Sequence, residues 1–339
     1  MARKSRGLLK GNRSITGNGI RKPKSLKPQK ARSLIRRYHT LLKDKEIILK
    51  QLKPLVEGLD NKNYVECLRE TQPLLFWKYN SELKLFIESW TGKQANEPMN
   101  KDVLQDTNEM VAMLGKIDGE IKCRGGIEAY QVALTDGQDS TRGGDSSKRL
   151  IQWLESNTQW QKKDTIMSAL EIGCLSANNC ISTCGMFEVT RIDLNSQNER
   201  LILQQDFMDR PLPTSSKEKF DMISCSLVLN YVPDHNVRGQ MLWRFTQFLN
   251  EPKNGFYSKV FIVLPLPCVT NSRYFNNARF IDIMTHLGFC EEEYYEAKKV
   301  AYWLFSWKGS KSMKKVAECA FKKTEINSGL SRNNFCITL

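Results

Sequence analysis

The stretch LEIGCLSANNCIS, residues 170–182, decides the fold because it joins an apolar run to an acidic residue, Glu171, and a glycine, Gly173. This order is typical of a strand that turns into a cofactor-binding loop. A dinucleotide loop carries two or three glycines around its pyrophosphate, whereas this loop has only Gly173. Three interpretations are open at this point: a degraded dinucleotide fingerprint, a methyl-donor site, or an ordinary strand-to-helix turn.

Short apolar segments alternate with helical ones from residue 151 onward. The predicted strands are SALEI (168–172), FEVTRID (187–193), LILQQD (201–206), FDMISCSLVL (220–229) and KVFIVLPL (259–266). Helical patterns cover Arg238–Leu249 and Ala278–Leu287. Such alternation indicates a parallel sheet with helices on both faces. We therefore expect an α/β, Rossmann-like domain over residues 151–310.

Acidic residues fall at the ends of the first three predicted strands. Glu171 and Gly173 end the first strand, Asp193 ends the second and Asp206 ends the third. In a parallel sheet these ends share one edge, where ligands bind. Asp193 follows Gly173 by twenty residues, the distance at which an acidic side chain reaches a ribose in a nucleotide-binding unit. The pattern predicts one site built from three strand ends.

The composition of this site favours a methyl donor over a dinucleotide. A pyrophosphate needs a glycine-rich turn at a helix N-terminus, and CLSANNCIS lacks one. S-adenosylmethionine has no phosphate, and its positive sulfonium suits nearby carboxylates. We interpret Asp193 as the ligand of the ribose hydroxyls, and Asp206 with Phe207 as the contacts of the adenine.

Positive charge is concentrated at the start of the chain. Residues 1–37 carry thirteen Lys or Arg and no acid, which accounts for nearly all of the net charge of +14. We expect residues 1–30 to be a disordered basic arm that binds phosphates without reading bases. RNA binding and nuclear import are both compatible with such an arm, and a solubilising tail is the alternative.

The remaining chain divides into three further parts. Residues 31–122 have helical periodicity, 123–150 form a loop rich in Gly, Ser and Asp that could cover the donor, and 311–339 form a basic C-terminal tail. No apolar run reaches the about 18–20 residues of a membrane span. The cysteines have no zinc-ligand spacing, so neither a membrane nor a metal is expected.

Several motifs together resemble a known family, the fungal 25S ribosomal RNA adenine-N1 methyltransferases. They are LEIGCLSANN, RIDLN, QQDFMDRPLP, FDMISCSLVLNYVPDHNVRGQML and LPLPCVTNSRYF, with the basic arm SITGNGIRKPKSLKPQKARSLIRRYH. The resemblance covers nearly the whole chain. It implies a class I methyltransferase sheet, S-adenosylmethionine as the methyl donor, no metal, and large-subunit rRNA or the pre-ribosome as partner. It also implies an enzyme that acts as a monomer in the nucleus and nucleolus.

The resemblance extends to individual residues. It implies that Gly173 and Asp193 bind the donor, that Arg124 of the RGG loop pairs with its carboxylate, and that Ser272 of NSRY contacts it. The segment after the fourth strand occupies the usual place of acceptor contacts, so Asn230 is expected to hydrogen-bond the base edge and Tyr231 to stack on it. Turn capping and core packing are the alternatives for this pair.

Two functional alternatives stay open. The central motifs and the RGG loop are also similar to the SAMTOR family of S-adenosylmethionine sensors, which suggests a donor-binding regulator without catalysis. The basic arm favours an RNA methyltransferase, because a sensor whose only partners are proteins has little use for such an arm. His235 beside Asp234 is a candidate base, although such pairs often only build turns.

Overall fold

The computed structural model describes residues 28–92, 106–130, 133, 144–157, 166–196, 198–314 and 321–339. The helices are α1 (Pro28–Leu52), α2 (Tyr64–Thr71), α3 (Pro73–Ser89), α4 (Thr107–Cys123), α5 (Ser147–Ser156), α6 (Cys180–Thr183), α7 (His235–Phe248), α8 (Leu266–Thr270) and α9 (Asn277–His286). The strands are β1 (Met167–Ile172), β2 (Phe187–Asp193), β3 (Leu203–Gln204), β4 (Met222–Ser226), β5 (Lys259–Pro265), β6 (Phe289–Glu296) and β7 (Val300–Trp307). Most of the predicted arm at 1–30, and residues 131–132 and 134–143 of the predicted lid, lie outside the described residues.

The seven strands form one sheet in the order β3-β2-β1-β4-β5-β7-β6. β1 to β5 are parallel, whereas β7 runs antiparallel to β5 and β6 antiparallel to β7. The order along the sheet reverses between β1 and β4, which makes that point the topological switch of the fold. The predicted α/β architecture is confirmed.

Alternate residues of each strand point to opposite faces, and both faces are covered. Along β5, Val260, Ile262 and Leu264 pack with α7 and α9, while Phe261 and Val263 pack with α5 and α6. All five of these side chains are fully buried. A strand buried on both faces is apolar throughout, which is why KVFIVLPL could be recognised in the sequence.

Side-chain caps fix where the helices begin. Asp234 accepts hydrogen bonds from the backbone of Asn236 and Val237 at the start of α7. Asn276 accepts from Arg279 N at the start of α9. These bonds satisfy donors that would otherwise have no partner within the helix.

The helices α1 to α4 share a core of their own, formed by fourteen buried residues such as Leu49, Leu68 and Leu114. A bidentate ion pair joins Arg37 of α1 to Glu120 of α4, with nitrogen-to-oxygen distances of 2.7 and 2.6 Å. The predicted helical N-terminal region is therefore present. None of the described helices is long and apolar enough to cross a membrane.

Some predicted elements differ from the observed ones. β3 is limited to Leu203–Gln204 within the predicted 201–206, and β4 ends at Ser226 rather than 229. The hairpin of β6 and β7 was not predicted, although VAYWLFSW is an apolar run with strong β-propensity. The predicted lid also contains a helical stretch at 126–130.

The predicted C-terminal tail, 311–339, is packed against the sheet domain over its described last residues. Phe335 and Ile337 belong to the core under α7, and Arg238 Nη1 donates to Cys336 O at 2.6 Å. Gly239 leaves room for this segment, because a Cβ there would lie 1.7 Å from Thr338 O. Apolar side chains spaced along the basic sequence explain the difference from the prediction.

Replacing Ile337 with Ala should lower the free energy of unfolding by about 2–5 kcal/mol, because the side chain is fully buried and its removal leaves a cavity. Ile326→Ala is the matched control, since Ile326 is 41% exposed in the same segment and should cost less than about 0.5 kcal/mol. Urea unfolding of the full chain measures both. Equal losses would contradict the packing of the C-terminal segment.

Candidate functional site

Four strand ends meet at one edge of the sheet. Ile172 of β1 is paired with Ile192 of β2 on one side and with Cys225 of β4 on the other. Asp193, the last residue of β2, is paired with Gln204 of β3. Because the order reverses between β1 and β4, the loops after these strands border a crevice, the usual ligand position in such sheets.

Gly173 sits at the mouth of this crevice. Its φ is +73°, and a Cβ at this position would lie 2.4 Å from Val228 Cγ2. Its backbone nitrogen donates to Ile192 O at 2.9 Å, so the turn stays attached to β2. Leu227 also has a positive φ, +57°, which is unusual for a side chain of this size. Both loops are bent sharply where they face each other.

Two carboxylates next to the turn are largely buried. Glu171 is 7% exposed, its Oε1 accepts from Asn179 Nδ2 at 2.6 Å, and burial raises its pKa. Asp193 accepts from Asn195 N at 2.9 Å. Burial raises the pKa of Asp193, and the hydrogen bond from Asn195 opposes this effect. Negative charge in these positions is poorly solvated, so a cationic or hydroxyl-rich ligand would stabilise it.

Asp206 and Phe207 follow β3 but differ in their surroundings. Asp206 accepts from Met208 N at 2.8 Å in a tight turn. Phe207 is 3% exposed, and its ring centroid lies 5.6 Å from that of Phe245 and 5.3 Å from that of Phe248. The Phe207 side chain therefore belongs to the core, whereas Asp206 lies in the turn that follows β3.

The described end of the Gly/Ser/Asp-rich loop is attached to the site. Asp145 accepts from Ser147 N at 2.9 Å and also from Cys180 N, at the start of α6. The hydroxyl of Ser146 lies 2.7 Å from that of Ser226, the last residue of β4. A loop with this sequence is expected on the surface, yet these bonds hold residues 145–147 against β4 and α6.

Arg124 and Ser272 are engaged elsewhere. Arg124 Nη2 lies 2.7 Å from Glu120 Oε1, and the guanidinium carbon lies 5.2 Å from the centre of the Trp90 ring. Ser272 is fully buried, and its hydroxyl donates to Phe335 O at 2.5 Å. Among the described contacts, neither side chain is brought to the strand ends. Arg124 holds the helical region together, and Ser272 holds the C-terminal segment.

An aromatic cluster covers the loop after β4. The ring of Tyr231 stacks on His39 of α1, with centroids 4.3 Å apart and planes 9° apart. Tyr130 presents its edge to both, at 5.5 Å from His39 and 6.2 Å from Tyr231. Burial contributes most to the raised pKa of Tyr130, and Tyr231, Tyr38 and Asp193 add to it. The cluster covers the loop that also contains Val228, the side chain next to Gly173.

Asn230 and His235 border the same loop. Asn230 Oδ1 is buried and has no hydrogen-bond partner among the described residues. His235 Nδ1 lies 2.9 Å from Thr338 Oγ1, so this histidine connects the start of α7 to the C-terminal segment. Sequence analysis missed His39 and Tyr130 because the local signals were weak. These signals were the Tyr-His pair in RRYHT and the Tyr at the end of RGGIEAY.

The fold and the site define the class of protein. A sheet of order 3-2-1-4-5-7-6 with an antiparallel seventh strand, and acidic residues at the ends of β1 and β2, is the arrangement of class I methyltransferases. Among the described residues, no group of three or more His, Cys, Asp or Glu could hold a metal ion.

Residues 115–337 match the family described as 25S rRNA (adenine(2142)-N(1))-methyltransferase, Bmt2. A relative of that name from Saccharomyces cerevisiae is 36% identical over 354 aligned positions, covering 100% of this chain and 99% of the relative. A 25S rRNA adenine-N(1) methyltransferase from Schizosaccharomyces pombe is 41% identical over 215 positions, covering 62% of this chain and 76% of the relative. The chain belongs to this family of rRNA methyltransferases.

Solved structures give weaker similarity. Magnesium protoporphyrin IX methyltransferase from Synechocystis, solved with bound S-adenosylmethionine, is 11% identical with a TM-score of 0.35, over 53% of this chain and 83% of that one.

Gly173→Ala should reduce both stability and ligand binding, because the new Cβ would overlap Val228. Gly185→Ala is the matched control, since Gly185 has a similar φ of +77° but nothing within 4 Å of an added Cβ. Each variant has the backbone strain of a left-handed alanine, about 1–2 kcal/mol. We expect a larger loss of unfolding free energy for Gly173→Ala, and loss of S-adenosylhomocysteine binding by calorimetry for this variant alone. Indistinguishable variants would contradict the role of the close approach.

Proposed function

We propose that this protein transfers a methyl group from S-adenosylmethionine to N1 of an adenine in large-subunit ribosomal RNA. Membership of the Bmt2 family is the observation that carries the proposal. The similarity to the S. cerevisiae enzyme extends over the full length of both chains, so it includes the arm and the helical region as well as the sheet domain. The alternative of a regulator without catalysis is not favoured by these relatives.

The residues at the strand ends suit this cofactor. Asp193 and Asp206 offer carboxylates for ribose and adenine, and the turn at Gly173 has no glycine-rich cradle for a pyrophosphate. Burial raises the pKa of both Glu171 and Asp193, so their negative charge is poorly solvated and a positive sulfonium bound nearby would stabilise it. When bound, S-adenosylmethionine supplies an electrophilic methyl group, and in-line transfer demands positioning and exclusion of water more than a strong base.

Asn230 and Tyr231 are proposed to position the acceptor. The buried Asn230 Oδ1 is a hydrogen-bond acceptor that suits the 6-amino group of adenine, next to N1. A guanine would present a carbonyl oxygen there and leave both oxygens unsatisfied, which is costly in a buried site. Adenine N1 is hidden in base pairing, so the target must be unpaired or flipped out.

The basic arm is proposed to hold the RNA backbone. The arm leads directly into α1, and α1 contributes His39 to the aromatic cluster. We further propose that the enzyme acts as a monomer on pre-ribosomal RNA in the nucleolus, because the arm suits both nuclear import and rRNA.

The direct test is methyl transfer from labelled S-adenosylmethionine to large-subunit rRNA prepared from cells that lack the enzyme. We expect one N1-methyladenine per rRNA with the wild-type chain, measured by mass mapping. Asp193→Asn should lower donor affinity by at least about tenfold, because loss of a charge-assisted hydrogen bond costs about 1.5–3 kcal/mol. Asp282→Asn, at an exposed position of α9, is the control. Donor binding without transfer by the wild type would support the regulator instead.

Removing residues 1–27 should weaken RNA binding while donor affinity stays the same. This deletion removes nine Lys or Arg and stops before α1. Since each phosphate contact releases counterions, the slope of log K against log salt should become shallower by about 0.7–0.9 per lost contact. Fluorescence anisotropy with an rRNA fragment at several salt concentrations measures this. An unchanged slope would mean that the arm does not touch the RNA.

A further inference from the structure

His39 is an unexpected element of the acceptor region. It comes from α1, 192 positions before Tyr231 in the chain, yet the two rings lie face to face at 4.3 Å with planes 9° apart. Parallel, face-on stacking of a flat nitrogen heterocycle on a tyrosine is how proteins hold an unpaired base. The imidazole therefore occupies the face of Tyr231 on which a base would stack.

The surroundings of His39 match the needs of a base in two further respects. Tyr130 closes the side of the stack, with its ring at 77° to the imidazole and its hydroxyl 3.3 Å from His39 Nε2. Asn230, next to Tyr231 in sequence, has a buried Oδ1 with no hydrogen-bond partner among the described residues. A purine with an amino group would supply the donor that this oxygen lacks.

The position relative to the donor site is also suitable. Val228, three residues before Tyr231 in the loop after β4, lies against Gly173, since a Cβ on Gly173 would be 2.4 Å from Val228 Cγ2. Tyr231 therefore belongs to the loop that faces the turn proposed to bind the donor. A base on Tyr231 would lie on the donor's side of the sheet, as transfer requires.

An ion pair joins α1 to the start of α7: Lys50, whose side chain is 54% exposed, pairs with Asp234, whose side chain is 10% exposed. A pair with one exposed partner is partly screened by salt. The His39 ring is uncharged at neutral pH, because burial lowers its pKa to about 4, so withdrawing it separates no ion pair.

We propose that His39 occupies the subsite of the target adenine. On RNA binding, the adenine replaces the imidazole on the face of Tyr231, with Tyr130 at its edge and Asn230 Oδ1 accepting from its 6-amino group. The inference rests on the proposed function and adds the position of the base and the displacement of His39.

The test is the steady-state kinetics of His39→Ala with rRNA as the varied substrate. Removing a competing ring should lower the KM for RNA by about two- to tenfold, the factor that corresponds to one aromatic stacking contact, with unchanged affinity for S-adenosylhomocysteine. His286→Ala, at the end of α9 against Phe321, is the matched control and should leave KM unchanged. An unchanged or raised KM for His39→Ala would overturn the proposal. An unchanged KM would mean that His39 does not compete with the base, and a raised KM would mean that His39 contacts the bound base.

Tyr130→Phe keeps the result interpretable if His39→Ala does not fold. It removes only the hydroxyl next to His39 Nε2, so KM should fall in the same direction, and a rise would contradict the proposal. If His39→Ala does fold, its effect should disappear in a Tyr231→Leu background, and a full effect there would also contradict the proposal. If the wild-type chain transfers no methyl group to rRNA, the proposed function fails together with the subsite. If it does, a KM result against expectation removes the subsite alone.

Discussion

The site depends on the close approach of the turn after β1 to the loop after β4. β1 pairs in parallel with β2 and β4, so both loops leave the same edge where the strand order reverses. At Gly173 a single Cβ would overlap Val228, and no residue but glycine fits both the φ and the space. The scarcity of glycine in LEIGCLSANNCIS therefore does not indicate a degraded dinucleotide-binding motif. One glycine stands where the packing requires it, and the other residues of the turn have no phosphate to accommodate.

Sequence patterns were sufficient where the signal was local. β1, β2 and β5 were predicted within a residue or two, because buried parallel strands are apolar throughout. The acidic residues that follow the apolar runs at the ends of β1 and β2 were likewise a local signal, and the ligand site that they predict at this edge stays a prediction. The extent of β4 could not be predicted, since the apolar run continues into a loop where Leu227 has a positive φ. The β6–β7 hairpin required knowledge of which strand pairs with β5.

Individual side chains were less predictable, because their surroundings come from distant parts of the chain. Phe207 follows a predicted ligand residue but is buried by α7. Arg124 resembles a carboxylate ligand but pairs with Glu120 one turn earlier in α4. Ser272 is held by Phe335, 63 positions later. Each assignment required knowledge of the residue that the side chain contacts in the folded protein, and residue spacing in the sequence does not give this. The role of these residues in donor binding remains a prediction.

The chemistry explains why the site contains positioning groups rather than a base. Adenine N1 has an in-plane lone pair and carries no proton that must be removed before methylation. His235, the one histidine suggested as a base, has its Nδ1 within hydrogen-bond distance of Thr338 Oγ1. Burial lowers the pKa of His39 and keeps its ring uncharged. What such a reaction needs is a flat surface for the adenine, an acceptor for its amino group and a fixed distance to the methyl donor. We propose Tyr231, Asn230 and Asp193 for these three elements, because they lie in the loop after β4 and at the end of β2, on the same edge of the sheet.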